Sequence, residues 1–149
     1  SASEPMANAK ARGARVLATV TGYGTAFIAP KDDVTPLYAS GETLERAIRQ
    51  ALEDAGITAK DVDLVVSGAA GIDPFDREER GAIENVLGAS TPVIAPKKYF
   101  GETLGAGGAL AMAAGVVWLA DEANAKTTHI LVTSVGYYGN ASALVMRRA

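Results

Sequence analysis

Two short segments of the sequence carry the side chains that could do chemistry. "FDREE" places Asp76 three residues before Glu79, and "KKYFGET" places Lys97 five residues before Glu102. Glu102 is a candidate general acid or base, a role that a carboxyl group fills when its pKa is suitably tuned. Each residue type also has a simple structural interpretation: a helix cap for Asp76, a surface charge for Lys97 and a solvated carboxylate at a helix start for Glu102. The residue types alone leave both interpretations open.

The composition excludes several kinds of site. The chain of 149 residues has no cysteine, so it provides no disulfide, no thiolate metal site and no cysteine nucleophile. Its one histidine, His129, begins the apolar run "HILVTSV". A single histidine makes neither a zinc site nor a catalytic triad, so we predict a structural role for it. The net charge of −3 argues against a nucleic-acid surface. No metal and no cofactor are expected.

Strands and helices alternate up to the first of these segments. "RVLATVTGYGTAFIAP" is rich in β-branched residues and is typical of a strand. The next segment has apolar side chains at helical spacing, with Ser40 as a predicted N-cap and Gly56 as a predicted end. "VDLVVSGAAG" is a continuous apolar run, which indicates a strand buried on both faces. A second helix, "PFDREERGAIENVLG", is then predicted to start at a cap formed by Asp73.

The rest of the chain completes an α/β pattern. "TPVIAP" predicts a short strand, residues 103–121 predict a third helix, and "THILVTSVGYYGNASALVMRR" predicts a hairpin that turns at residues 136–140. The order β-α-β-α-β-α-β-β predicts a mixed five-stranded sheet with right-handed crossovers and a closing antiparallel hairpin. We expect residues 1–8 to be a disordered or artificial tail and residues 9–149 to form one domain. The N-terminal segment lacks the apolar core of a signal peptide, so the expected location is the cytoplasm.

The third helix contains no charged residue between Thr103 and Ala120. Its glycines fit neither a Walker loop nor a dinucleotide motif, and the lysines precede them. It is a little short for a membrane span and consists mostly of glycine and alanine, so we reject a transmembrane interpretation. A helix that is apolar all round must be covered on all sides. One small sheet does not enclose it, so the sequence predicts a partner.

The sequence resembles the C-terminal half of β-ketoacyl synthases of the thiolase-like superfamily. The resemblance runs from Ala9 onward through five motifs in order: "AKARGARVLATVTGYGTA", "LERAIRQALEDAGITAKDVDLVV", "DREERGAIENVLG", "APKKYFGETLGAGGAL" and "SVGYYGNASALVMRR". It implies a duplicated fold of five αβαβα layers, with the Gly/Ala-rich helix in the middle layer between the two halves. The nucleophilic cysteine of the family belongs to the N-terminal half.

The same resemblance implies that both family histidines are replaced. The first falls on Gly68 and the second on Glu102, while Lys97 matches the family lysine. Asp76 and Glu79 match the acidic pair that follows the first histidine. The histidines stabilise an enolate, and each such donor contributes about 10²–10³-fold to the rate. Because glycine has no side-chain donor and an ionised glutamate donates no proton, standard decarboxylative condensation is not expected of this chain.

The final loop resembles the acyl gate of the family. It comprises Gly136, Tyr137, Tyr138, Gly139 and Asn140, and Tyr137 takes the place of the gating aromatic whose backbone N–H helps to form the oxyanion hole. Tyr138 replaces a glycine, and a threonine is missing before Asn140, so we expect a distorted hole. The alternative for both tyrosines is simple packing in the hairpin.

Three functions remain open from the sequence. The first is a non-catalytic subunit, similar to chain-length factors, that completes a condensing complex of fatty acid or polyketide biosynthesis. It would pair with a ketosynthase-like subunit or N-terminal half that supplies the cysteine, and an acyl carrier protein is a further candidate partner. The second is an acyltransferase subunit that uses Glu102 as acid or base with the partner's cysteine. The third is a homodimeric structural module of the same fold.

Overall fold

The computed structural model describes residues 4–31 and 37–149 and consists of one five-stranded sheet with helices on both faces. The elements, in chain order, are α1 (Met6–Ala11), β1 (Ala18–Phe27), α2 (Gly41–Ala55), β2 (Leu64–Val66), α3 (Phe75–Leu87), β3 (Val93–Ile94), α4 (Lys97–Phe100), α5 (Gly107–Ala120), β4 (His129–Val135) and β5 (Asn140–Arg148).

The sheet has the order β1-β5-β4-β2-β3. Strand β2 pairs in parallel with both β3 and β4, while β5 pairs antiparallel with both β4 and β1. The predicted mixed sheet with a closing antiparallel hairpin is therefore confirmed. Its parallel strands β2, β3 and β4 direct their carboxyl ends to one edge, where an open α/β sheet places its binding crevice.

Helix α2 covers one face of the sheet. The Ser40 hydroxyl accepts a hydrogen bond from the N–H of Thr43 at 3.3 Å, and Gly56 ends the helix with φ of 67°. Both are the capping residues that the sequence predicted. The apolar side chains of Leu44 and Ile48 are completely buried in the cluster beneath this helix. Helix α3 packs on the same face and adds Ile83.

Strand β1 lies unusually close to α2. A Cβ atom at Gly24 would stand 2.1 Å from a backbone carbonyl oxygen of α2, so this contact requires glycine. The outward N–H of Tyr23 donates to Asp54 at 2.9 Å, and that of Thr25 donates to Gln50 at 3.1 Å. Two backbone N–H groups on the outer edge of β1 are therefore already hydrogen-bonded to side chains of α2.

Helix α5 covers part of the opposite face. Ala111 and Leu119 are buried against Ile130, Val132 and Met146 of the sheet. The other side of the helix faces outward, and Val117 is 71% exposed. Among the described residues, α5 is thus an apolar helix with a cover on one side.

The structure differs from the sequence-based bounds at three places. The predicted third helix, residues 103–121, is a 3₁₀ turn at Leu104–Ala106 followed by α5, because glycines crowd its first turn. Asp73 does not cap α3 and instead pairs with Arg77 at 2.6 Å, since Pro74 occupies the N-cap position. Met6 and the following residues of the predicted tail form α1, and residues 1–3 lie outside the described part of the chain.

Candidate functional site

The candidate site lies where the loops after β2 and β4 meet the segment between β3 and α5. A small cavity of about 10 Å³ marks the meeting point. Its lining comprises Gly68, Ala70, Ile72, Phe75, Asp76, Glu79, Glu102, Val135 and Tyr137. A cavity of this size holds about one water molecule. The fold therefore brings the predicted site residues together, around almost no free volume.

Glu102 is the most heavily bonded of these residues. Lys97 donates from Nζ to its Oε1 at 3.0 Å and to its Oε2 at 3.1 Å. The backbone N–H groups of Thr103 and Leu104 donate to Oε1 at 2.8 and 2.7 Å, and the Tyr137 hydroxyl donates to Oε2 at 2.5 Å. Four donor groups thus converge on one carboxylate. Leu104 has φ of 48°, which shows how tightly the chain turns around Glu102.

These contacts fix the charge state of the site. Burial acts to raise the pKa of Glu102, but hydrogen bonds from Tyr137, Lys97 and Leu104 outweigh it and lower that pKa to about 2. Burial, together with the adjacent Glu102 carboxylate, raises the pKa of Tyr137 to about 12. At neutral pH Glu102 is a carboxylate, and Tyr137 is a neutral phenol that donates to it.

Glu79 is a second, deeper carboxyl group. Its Oε1 accepts hydrogen bonds from the Gly68 N–H at 2.8 Å and the Thr133 hydroxyl at 2.6 Å. Burial raises the pKa of Glu79 in spite of these hydrogen bonds. It joins α3 to the loop after β2 and to β4, and so acts as an internal brace. Thr133 is a site residue that the sequence analysis missed, because its apolar neighbours marked it only as part of a buried strand.

Asp76 shapes the loop after β2. Its two carboxylate oxygens accept the backbone N–H groups of Ala70 at 3.1 Å and Gly71 at 3.0 Å. Lys98 lies 3.8 Å away as a looser ion partner. The loop that carries Gly68 is therefore held by α3 through both Asp76 and Glu79.

Gly68, which the family resemblance aligns with the first histidine, has little room around it. A Cβ atom there would lie 3.0 Å from the Thr133 carbonyl oxygen and 3.4 Å from the Ser134 Cα. A larger side chain would need β4 to move by a few tenths of an ångström. The backbone at this point is fitted to a small residue.

The gate-like loop is fixed by backbone pairing. The N–H of Tyr38 donates to the Tyr137 carbonyl at 2.8 Å, and the N–H of Gly139 donates to the Tyr38 carbonyl at 2.9 Å. The Tyr137 ring packs edge-on against Phe75, with ring centroids 4.9 Å apart. Sequence reasoning identified Tyr137 but missed Tyr38 and the bond from the Tyr137 hydroxyl to Glu102, because no local pattern signals a contact between distant loops.

Gly136 and Asn140 close the hairpin. The N–H of Gly136 donates to the Asn140 carbonyl at 2.7 Å, and a Cβ at Gly136 would collide with the Asn140 amide. Tyr138 points outward and is half-exposed. Within residues 4–31 and 37–149, no group of three histidine, aspartate or glutamate side chains could hold a metal ion. None of the helices in the described ranges has the length and apolar character that a membrane crossing requires.

Comparisons with known proteins agree with this architecture. The family model described as beta-ketoacyl synthase, C-terminal domain, matches residues 17–131. The chain is 35% identical over 109 residues to the tetracenomycin polyketide synthase ketoacyl synthase beta subunit of Streptomyces glaucescens, covering 72% of this chain and 25% of that protein. It is 34% identical over 130 residues to the 3-oxoacyl-[acyl-carrier-protein] synthase 2 of Mycobacterium bovis, covering 83% of this chain and 30% of that protein.

A solved structure gives the same result. The chain superposes on the ishigamide ketosynthase/chain length factor with a TM-score of 0.82 and 27% sequence identity, covering 97% of this chain and 41% of that one. The chain thus spans less than half the length of each of these three proteins. It belongs to the β-ketoacyl synthase family, and its fold is the thiolase-like C-terminal half.

Proposed function

We propose that the chain is a non-catalytic ketosynthase-like subunit, similar to chain-length factors, that completes a β-ketoacyl synthase complex. It pairs with a subunit or N-terminal half that carries the nucleophilic cysteine. One observation carries the proposal: Glu102, which the family resemblance aligns with the second histidine, is a carboxylate already bonded to Lys97, Tyr137 and two backbone N–H groups.

The chemistry of condensation asks for the opposite of this arrangement. A developing enolate needs preorganised hydrogen-bond donors, and Glu102 is an acceptor with a negative charge. With a pKa of about 2, it is protonated in only about one molecule in 10⁵ at pH 7. Gly68 supplies no side-chain donor, and the chain has no cysteine to form a thioester.

The alternative, in which Glu102 is a general acid or base, is weaker on the same grounds. A catalytic base works best when its pKa lies near the working pH. The donors around Glu102 depress its basicity, and the cavity at its carboxylate holds about one water molecule. We infer that Glu102 locks the α4–α5 segment to the loop of Tyr137.

Exposed apolar side chains support the pairing. On α5 and the turn before it, Val117 is 71% and Leu104 is 72% exposed. On β1, Val20 and Tyr23 are also exposed and pair with Met146 and Leu144, residues of the α5-side cluster. Val20 and Tyr23 therefore lie on the α5 side of the sheet, and apolar side chains exposed together on one face are typical of an interaction site. The five-layer fold expected from the family resemblance would cover it with the other half.

The name of the matched Mycobacterium enzyme also points to an acyl carrier protein, which is a proposed partner of the assembled complex rather than of this chain alone. The cytoplasmic location expected from the sequence stays a prediction.

The first test is to isolate the complex from the source organism, measure its native mass and identify every chain in it. A stoichiometric partner that carries a ketosynthase-type cysteine half is the expected result. A homodimer without such a partner would overturn the pairing and favour the structural module.

The second test assays condensation by that pair with Glu102→Gln, and with Glu53→Gln on the exposed side of α2 as the matched control. We expect both variants to keep the rate within about twofold, whereas a general acid or base would lose about 100-fold or more. A loss of that size with the complex intact would assign the chemistry to Glu102.

A further inference from the structure

A second and much larger cleft lies outside the site described above. It has a volume of about 410 Å³ and opens between α3, the loop that follows it, and β3. Small-molecule sites commonly have volumes of about 300–1,000 Å³. Asp76 is the one described residue that lines both this cleft and the small cavity beside Glu102. The cleft is therefore next to the ketosynthase-like site without being part of it.

Two cationic side chains line the cleft. Arg80 is exposed and Lys98 is half-exposed, so both can reach a ligand. Within residues 4–31 and 37–149, Arg80 has no carboxylate within ion-pair distance, and Lys98 has only Asp76, at 3.8 Å. The carboxylate of Asp76 already accepts two backbone N–H groups. Among the described residues, the cleft thus presents a guanidinium group without an ion partner and an ammonium group with only a distant one.

The acidic residues of the lining limit the charge of a ligand. Asp76 and Glu84 are both part of the cleft wall. A multiply charged phosphate would be repelled by these two carboxylates, whereas a single carboxylate can form a bidentate pair with Arg80. The charge pattern therefore favours an anion with one charge over an anion with several.

The remaining wall is partly apolar. Ala69, Ala89, Val93 and Ala95 supply its apolar part beside the almost fully buried Ile83 of α3, and Ser67, Gly88 and Thr91 complete the lining. Val93 is half-exposed at the edge of the sheet, so apolar area there is open to a ligand. A ligand that fits has an apolar body as well as one anionic group, because apolar area removed from water contributes to binding.

We propose that the cleft between α3 and β3 binds a small monocarboxylate with a short apolar chain, with its carboxylate on Arg80 and Lys98 and its chain on Ala89 and Val93. The site is separate from the proposed pairing surface on α5, so it is accessible in the free chain and does not depend on the proposed function.

The test is a titration of the ¹⁵N-labelled full chain with hexanoate, followed by amide shifts. We expect saturable shifts at Ile83, Ala89 and Thr91, and none at Tyr137. Arg80→Glu should weaken the affinity by about tenfold or more, because a charge-assisted pair is replaced by repulsion. Arg49→Glu on α2 makes the same change in net charge outside the cleft and should leave the affinity unchanged. Arg80→Gln should also weaken the affinity, because it removes the positive charge without adding a negative one.

Two further probes separate the parts of the proposal. 1-Hexanol has the chain without the charge, and inorganic phosphate has charge without the chain; both should bind more weakly than hexanoate. Equal binding of hexanol would overturn the role of Arg80 and Lys98, and tighter binding of phosphate would overturn the apolar part. Absence of shifts at the cleft up to the solubility limit of hexanoate, or an unchanged affinity in Arg80→Glu, would overturn the site itself.

Discussion

The two faces of the sheet are built in different ways. Helix α2 is amphipathic: it buries Leu44 and Ile48 against the sheet and presents charged side chains such as Arg46 to water. Helix α5 has no charged side chain on any side, so its exposed face is as apolar as its buried one. The first face has a polar exterior, as a finished protein surface does, whereas the second leaves apolar side chains exposed. A helix without a polar side therefore indicates a missing cover more reliably than exposure of any single residue.

The closest packing on the finished face gives the largest predicted effect. Gly24→Val would place side-chain atoms into the backbone of α2, where a Cβ alone would stand 2.1 Å from an oxygen. We expect the free energy of unfolding to fall by about 3 kcal/mol or more. Gly108→Ala on α5, where a Cβ meets open space, should raise it by up to about 1 kcal/mol. Urea denaturation of the two variants measures these changes. Equal changes in the free energy of unfolding would contradict the difference between the two faces.

Truncation of apolar side chains tests the same difference directly. Leu44→Ala should cost about 3 kcal/mol, because the side chain is fully buried and its removal leaves a cavity. Val117→Ala should change the free energy of unfolding by less than about 0.5 kcal/mol, since Val117 is 71% exposed. In the presence of the proposed partner, Val117→Ala should lower the free energy of unfolding by more than it does in the isolated chain. An equally small change in the free energy of unfolding with and without the partner would place Val117 outside the interface.

The Glu102 carboxylate, which precedes α5, also stabilises the fold through its charge. The free energy of unfolding should therefore fall in acid. The pKa of Glu102 is lowered from 4.5 to about 2, so its contribution to stability is present above pH 4.5 and is lost as the pH falls towards 2. Because water screens the open side of the pair with Lys97, we expect a loss of about 1 kcal/mol between pH 6 and pH 3.

Urea unfolding at the two pH values measures this loss. Glu102→Gln should remove that part of the pH dependence, while Glu53→Gln on α2 should keep it. An identical pH dependence in the wild type and Glu102→Gln would show that the lock adds no stability.

The smallest predicted effect concerns one hydroxyl group. Tyr137→Phe keeps the ring against Phe75 and removes the 2.5 Å bond to Glu102. The pKa of Glu102 should rise from about 2 towards its ordinary value, since the Tyr137 hydrogen bond is the strongest of the interactions that lower it. Carbon-detected NMR titration of the Glu102 carboxyl group measures the shift. Tyr23→Phe, on exposed β1, is the control and should leave that pKa unchanged.

The parts of the fold that could be predicted are those encoded locally. The periodicity of α2 and its caps at Ser40 and Gly56 lie within one segment, and the apolar run of β2 signals burial on both faces. The start of α5 could not be predicted, because glycine propensity and the turn around Leu104 compete there. Asp73 failed as a cap because Pro74 takes the N-cap position of α3.

The candidate site was predictable in its members but not in its connections. The family resemblance pointed to Glu102, Lys97 and Tyr137 one by one. Their convergence depends on loops that are 35 residues apart in the case of Tyr137 and Glu102, and no short-range pattern records such a distance. The cleft beside Arg80 was missed for the same reason, since its walls come from α3, β3 and the segment between them.

The edges of the sheet have a consequence for how the molecule can assemble. Strand β1 has outward N–H groups already bonded to Asp54 and Gln50, and β3 is two residues long and flanked by Pro92 and Pro96. Neither edge offers a template for adding strands from other molecules. The proposed pairing therefore uses the apolar face on the α5 side rather than a strand edge. A pairing of this kind would give a closed assembly of fixed size rather than an open-ended fibre.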